Sequence, residues 1–236
     1  MRGLTYLHRL LILALVAAAS VAFAFRAGIV PPRFSPLPAL DLAVADAWLV
    51  DWRLAELGRD RQLCQRVLRE PFIAAETIAD IPMKDGCGLV NGVRITMTGT
   101  TRLAIDKASC PLAGALALWV EHAVQREAVA RLGARVTAIQ HFGGYACRNI
   151  RGAAWLSAIK SEHATANALD ISGFVLADGR AITVLKHWKG GGPEAAFLRA
   201  AHAAACRTFR VVLGPEFNDL HKDHFHMDRG LISRCR

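Results

Sequence analysis

The stretch from Ala168 to Leu185, "ALDISGFVLADGRAITVL", sets two apolar runs on either side of Asp178-Gly179. Asp-Gly between such runs is the strongest short hairpin signal, because a tight two-residue turn needs positive φ and glycine supplies it. The sequence therefore predicts an antiparallel hairpin, with Asp170 at the start of its first strand. Flanking segments extend the pattern. "RVTAIQ" before it, and "RVVL" and "HFHM" after it, are further strand candidates, and "GLVNGVRITMTGT" reads as a strand or hairpin. Three segments read as helical. "ADAWLVDWRLAELGRDRQLCQRVLRE" places Trp48, Trp52, Leu54 and Leu57 on one apolar side, with an interruption at Gly58. A second helix has Pro111 at its first position, apolar recurrence from Leu112 to Val124 and a stop at Gly133. A third opens at Pro193. Helices mixed with antiparallel strands, without a βαβ rhythm, predict an α+β domain whose small antiparallel sheet is flanked by helices.

The chain has 236 residues, 53% hydrophobic and 21% charged, which suits one globular domain with a sizeable core. Its first residues differ from the rest. Arg2 and Arg9 precede a run from Leu10 to Phe25 that is apolar except for Ser20, and Ala22-Phe23-Ala24 offers an A-x-A cleavage site. The run falls below the roughly 17–25 residues of a spanning helix, which favours a cleaved signal over an uncleaved anchor. Either way, residues 1–25 send the body of the protein out of the cytoplasm, into the periplasm or onto the periplasmic face of the inner membrane. Residues 26–40 carry Pro31, Pro32, Pro36 and Pro38 and read as an extended linker, so the folded unit is expected over 41–236. Six scattered cysteines without a C-x-x-C pair fit three disulfides in an oxidising compartment. The net charge of +9 attracts polyanions, but the basic residues are scattered and not interleaved with aromatics. Nucleic acid is therefore not expected as a partner, and outside the cytoplasm anionic wall polymers and peptides are.

Two polar clusters carry the chemistry. In "SEHATANALDISGF", His163 and Asp170 are seven positions apart across a loop, and an aspartate among Ala168, Leu169 and Ile171 needs a partner or a metal. Its bland alternative is a turn cap held by backbone amides. In "HKDHFHMD", strand alternation would put His224, His226 and Asp228 on one face and Phe225 and Met227 on the other. The alternative there is a solvated edge. Together, His163, Asp170 and His226 form a two-histidine, one-carboxylate set that suits zinc (Zn2+) with an open position.

S-x-H followed by A-x-D and a later H-x-H resembles the zinc peptidases that cut peptidoglycan peptides, namely D-Ala-D-Ala carboxypeptidases and penicillin-insensitive murein endopeptidases. More closely, "GGYACR", "SEHATANALDISGF", "LADGR", "AFLRAAHAAAC", "VLGPEFN" and "HKDHFHMD" resemble the bacterial extensin-like C-terminal domain family. The peptidase resemblance implies His163, Asp170 and His226 as zinc ligands and His224 as general base. Asp223 is the rival base, three positions before the last ligand, although alternation would turn it away from His226. His221 matches a further endopeptidase histidine supporting the substrate site. Arg148, in the place of a Y-R motif, is either a clamp for a substrate carboxylate or developing oxyanion, or a surface arginine. Ser161 is expected to hydrogen-bond beside the metal and substrate. The chain departs from the peptidases at Ala166, where they carry glycine, and Asn167 is expected to take the left-handed position instead. The implied function is a zinc-dependent carboxypeptidase or endopeptidase acting on peptidoglycan stem peptides or cross-links. The alternative is a non-catalytic exported protein that binds the wall or uses zinc structurally.

Overall fold

The computed structural model describes residues 2–35, 37–152 and 156–236; Pro36 of the proline-rich stretch lies outside the described residues. Helix α1 runs Arg2–Arg26. Its apolar window, Tyr6–Phe25, is 20 residues long and unburied, so the helix is long enough for an anchor as well as a signal. The extra length comes from upstream of Leu10, where His8 and Arg9 interrupt the apolar run without ending the helix. The linker is not wholly extended: Pro32–Phe34 form a 3-10 turn, and the Arg33 guanidinium reaches Asp60 at 3.2 Å.

Helices α2 (Val50–Leu57) and α3 (Arg61–Val67) break as expected at Gly58. The restart is fixed by Asp60, whose carboxylate accepts from the Gln62 and Leu63 amides, the ordinary N-cap arrangement. Leu54 and Leu57 are fully buried, but Trp48 is 65% exposed. Leu49 stands in the left-handed region just before α2, so Trp48 precedes the helix and does not share its apolar face. Strands β1 (Ile73–Thr77), β2 (Ile81–Lys84), β3 (Cys87–Leu89), β4 (Gly92–Thr98) and β5 (Thr101–Ser109) follow. Next come α4 (Cys110–Trp119), a π segment (Val120–Val124) and α5 (Gln125–Leu132) as one continuous rod. Ser109 caps it, Pro111 sits in its first turn, and Gly133 ends it at φ 70°. The chain then runs through β6 (Val136–His141), β7 (Ala168–Leu176), β8 (Ala181–Thr183), α6 (Val184–His187), α7 (Pro193–Ala205), β9 (Val211–Leu213), β10 (Phe225–Asp228) and β11 (Arg234–Cys235).

Among the described residues nine of these strands form one sheet, in the order β1-β4-β5-β6-β7-β10-β9-β11 with β8 also on β7. The domain is α+β, but its sheet is large and mixed rather than small and antiparallel. The correction has a specific cause. The rod from Cys110 to Leu132 carries the chain from β5 to a parallel neighbour, β6, making one βαβ crossover inside an otherwise mostly antiparallel arrangement. Strand β5 alternates buried Thr101, Leu103 and Ile105 with exposed neighbours, so Arg102, Asp106 and Lys107 disguise it as a loop. The α4 part of the rod is buried nearly all round, and Trp119 packs between Phe174 and Phe209, its indole N–H donating to Ala201 O.

All six cysteines are paired, as Cys64–Cys110, Cys87–Cys147 and Cys206–Cys235. With the apolar N-terminal helix, this fits an exported protein. The Cys64–Cys110 bridge ties α3 to the start of the buried rod and closes 46 residues of chain. Replacing both cysteines with alanine is expected to cost roughly 2–5 kcal/mol, read as a lower denaturation midpoint under oxidising conditions; an unchanged midpoint would contradict this.

Candidate metal centre

Strands β7 and β10 pair antiparallel with Asp170 directly opposite His226. The register follows from the core: Phe225 and Met227 on β10, and Leu169 and Ile171 on β7, are fully buried on the other face. His226 Nδ1 consequently lies 2.9 Å from Asp170 Oδ1. The third group arrives from the 3-10 turn Glu162–Thr165, which leads into β7. His163 Nε2 stands 3.2 Å from Asp170 Oδ1 and 3.2 Å from His226 Nδ1.

The turn differs from expectation in one residue. Ala166, not Asn167, occupies the left-handed region, at φ 52°. Asn167 is held by its side chain: its amide donates to Glu162 Oε2 at 2.8 Å, and its oxygen accepts from the Ser109 hydroxyl at 2.6 Å. Those two bonds fix Asn167 and pass the strained conformation to its alanine neighbour, at a cost of roughly 1–2 kcal/mol. Ser161 is buried, and its hydroxyl accepts from the His163 amide as cap of the turn. It acts in the scaffold beneath the ligand.

The outer hydrogen bonds decide what the inner atoms present. His163 Nδ1 lies 2.7 Å from the Gly144 carbonyl, an acceptor, so Nδ1 carries the hydrogen and Nε2 offers a lone pair. A Cβ on Gly144 would stand 3.1 Å from Ala168 O and 3.2 Å from Lys107 O, so only glycine brings this carbonyl in without displacing backbone. His226 Nε2 lies 3.1 Å from Asp228 Oδ2. Asp228 is buried and its other oxygen accepts from the Gly230 amide. A neutral His226 that donates from Nε2 therefore presents a lone pair at Nδ1. Two imidazole nitrogens and one carboxylate oxygen then face one another as acceptors, and only a cation or a proton resolves that. These ligand atoms lie within 4.8 Å of one another, and the donor set fits zinc with a position left open. Asp228 and the Gly144 carbonyl are the functional groups that sequence reasoning did not single out. Asp228 had a signal, two residues after His226 on the same strand face; the carbonyl had none.

The remaining predicted residues gather at the mouth. Strand β10 begins only at Phe225, so alternation does not govern Asp223 and His224. His224 Nδ1 lies 2.9 Å from Asp223 Oδ1, and its Nε2 lies 3.7 Å from Asp170 Oδ1. The two rival bases are thus hydrogen-bonded partners. His221 Nδ1 meets Asn218 Oδ1 at 2.7 Å, and its ring lies 5.2 Å from that of His224. Burial, followed by the nearby His226 and His224 charges, pushes His221 down to about 4, so it is neutral at pH 7. Arg148 is half-buried, its positive charge adding to the depression of His221, and its carbonyl accepts from the Ser161 amide. With Ala146 N–H donating to His163 O, residues 144–148 form a strip braced against the ligand turn. The Cys87–Cys147 bridge pins that strip.

Without a cation, a proton answers the three facing acceptors. Burial opposes it, but hydrogen bonds to Asp170 and Asp228 raise His226 to about 9. Burial likewise opposes ionisation of Asp170, and its contacts with His163 and His226 overcome it and hold its carboxyl well below the usual range. A histidine raised on folding contributes stability that is fully present below its unfolded value, about 6.5, and lost as pH rises through its folded one. Metal-free protein should therefore lose stability between about pH 6.5 and 9, while the stabilisation added by zinc grows over the same window as the competing proton leaves. Melting curves with and without zinc across that range check this. Metal-free stability independent of pH there would contradict it.

No curated protein and no solved structure matches the chain. Residues 62–236, which hold every candidate ligand and mouth residue, match a family described as extensin-like protein C-terminus. The chain belongs to the extensin-like protein C-terminus family.

Proposed function

We propose that the protein is a zinc-dependent peptidase acting on peptidoglycan stem peptides or their cross-links. The observation that carries this reading is the convergence of His163 Nε2, Asp170 Oδ1 and His226 Nδ1, with Gly144 O and Asp228 fixing the two rings from behind. These three atoms would hold the ion. Zinc in such a site lowers the pKa of a bound water to about 7 and polarises an amide carbonyl.

The protein's own groups do the rest. Asp223 accepts the Nδ1–H of His224, which leaves Nε2 unprotonated and directed at the centre. From there it takes a proton from the attacking water and delivers it to the leaving amine nitrogen as the C–N bond breaks. Neutral His221 adds no positive charge next to the ion. Arg148 supplies the positive charge of the mouth, suited to a peptide carboxylate or an oxyanion. Export, supported by the N-terminal helix and the disulfides, brings the site to the compartment that holds the wall. The similarity of the ligand motifs to peptidoglycan-cleaving zinc peptidases points the same way.

Incubating the full chain with muropeptides and following the products by mass spectrometry tests the reading. About one zinc per chain and products heavier in sum by one water are expected. His224→Ala should lower the rate roughly 10²–10⁴-fold while keeping the zinc. No product at any zinc loading, or an undiminished rate in His224→Ala, would refute it. Wall binding without cleavage, indifferent to His224→Ala, would favour the non-catalytic alternative.

A further inference from the structure

One aromatic at the mouth stands largely in solvent. Phe142 is 62% exposed, yet its backbone is held on three counts. Its amide donates to Asp170 O at 2.8 Å. His141 before it bridges two main-chain groups, Nε2 to Ala104 O at 2.8 Å and Nδ1 to the Gly143 amide at 3.1 Å. One neutral tautomer satisfies both, with the hydrogen on Nε2 and the lone pair on Nδ1. Gly143 turns the chain at φ 107°, a conformation that favours glycine. The phenyl ring presents its neighbour His224 with a T-shaped contact, centroids 5.6 Å apart. It ends a row of rings that runs on through His224 and His221 to Phe217.

We propose that Phe142 is a substrate-contacting residue, an apolar wall against which the side chain beside the scissile amide rests, and that it selects peptides with an apolar side chain there over those with none. This rests on the peptidase reading of the site. Because His224 Nε2 faces the reacting atoms and Phe142 lies against the same imidazole, a group resting on the phenyl ring is within one residue of that amide. The main-chain bonds order the turn before substrate arrives, so little further ordering opposes binding. The ring's exposed face contributes apolar area on contact.

The test uses full-length protein in detergent, loaded with zinc, and two acetyl-capped peptides, one ending in D-Ala-D-Ala and the other in Gly-Gly. The wild type should prefer the alanine peptide by about 10-fold or more in kcat/KM, as expected for a methyl group in an apolar pocket. Phe142→Ala should bring the ratio to within about 2-fold, chiefly through KM, with zinc retained, and Phe142→Leu should restore most of it. An unchanged ratio in Phe142→Ala overturns the proposal. So does a Phe142→Ala protein that loses its zinc, since the ring would then be a structural prop. If the wild type cleaves neither peptide, the peptidase reading fails on its own, and calorimetric titration of the same peptides decides the wall. A preference in affinity that Phe142→Ala abolishes supports it; no preference, or no binding, overturns it.

Discussion

The pairing of Asp170 with His226 across β7 and β10 is the contact on which the rest of the site depends. It is imposed from the opposite face of the sheet, where Phe225 and Met227 fill the core beside Leu169 and Ile171. A slip of one residue would bury both polar side chains and expose their apolar neighbours, so hydrophobic packing holds the polar register. Phe225 packs edge-on against Trp188 and His202, which adds aromatic contacts behind the ligand strand. The convergence of these side chains is in this sense a by-product of core packing, completed by a turn that delivers His163.

What surrounds the triangle determines its chemistry. Each imidazole is anchored through its outer nitrogen, one by a carbonyl and one by a buried carboxylate, which sets the tautomer and the ring angle together. Glu162 and Asn167 lie in the same layer. Burial, opposed by the Asn167 hydrogen bond and aided by the nearby Asp228 charge, raises the Glu162 carboxyl above its ordinary value. At the mouth, Asp223 and His224 form a coupled pair, so mutating one alters the other.

Much of this was legible in the sequence. Asp178-Gly179 announces the β7–β8 hairpin, Pro111 and Gly133 bracket the buried rod, and alternation in "HFHMD" puts His226 and Asp228 on one face. The three residues that converge could be singled out because their spacing resembles a known motif and their polarity is out of place on apolar strands. Other features depend on pairings between distant segments. The parallel join of β5 to β6 is closed by the rod between them, and the Gly144 carbonyl reaches His163 through backbone alone. Ala166 takes the left-handed position beside an Asn167 whose side chain is held in part by Ser109, 58 residues away. Asp223 was set aside by an alternation rule that does not reach it, since the strand starts two residues later.

X-ray absorption at the zinc edge of the purified full chain tests the central claim most directly. The account predicts a shell of two imidazole nitrogens at about 2.0–2.1 Å with light oxygen donors, and loss of imidazole scattering in His226→Ala. A sulfur-containing shell, a shell without imidazole, or a signal unaltered by that substitution would contradict it.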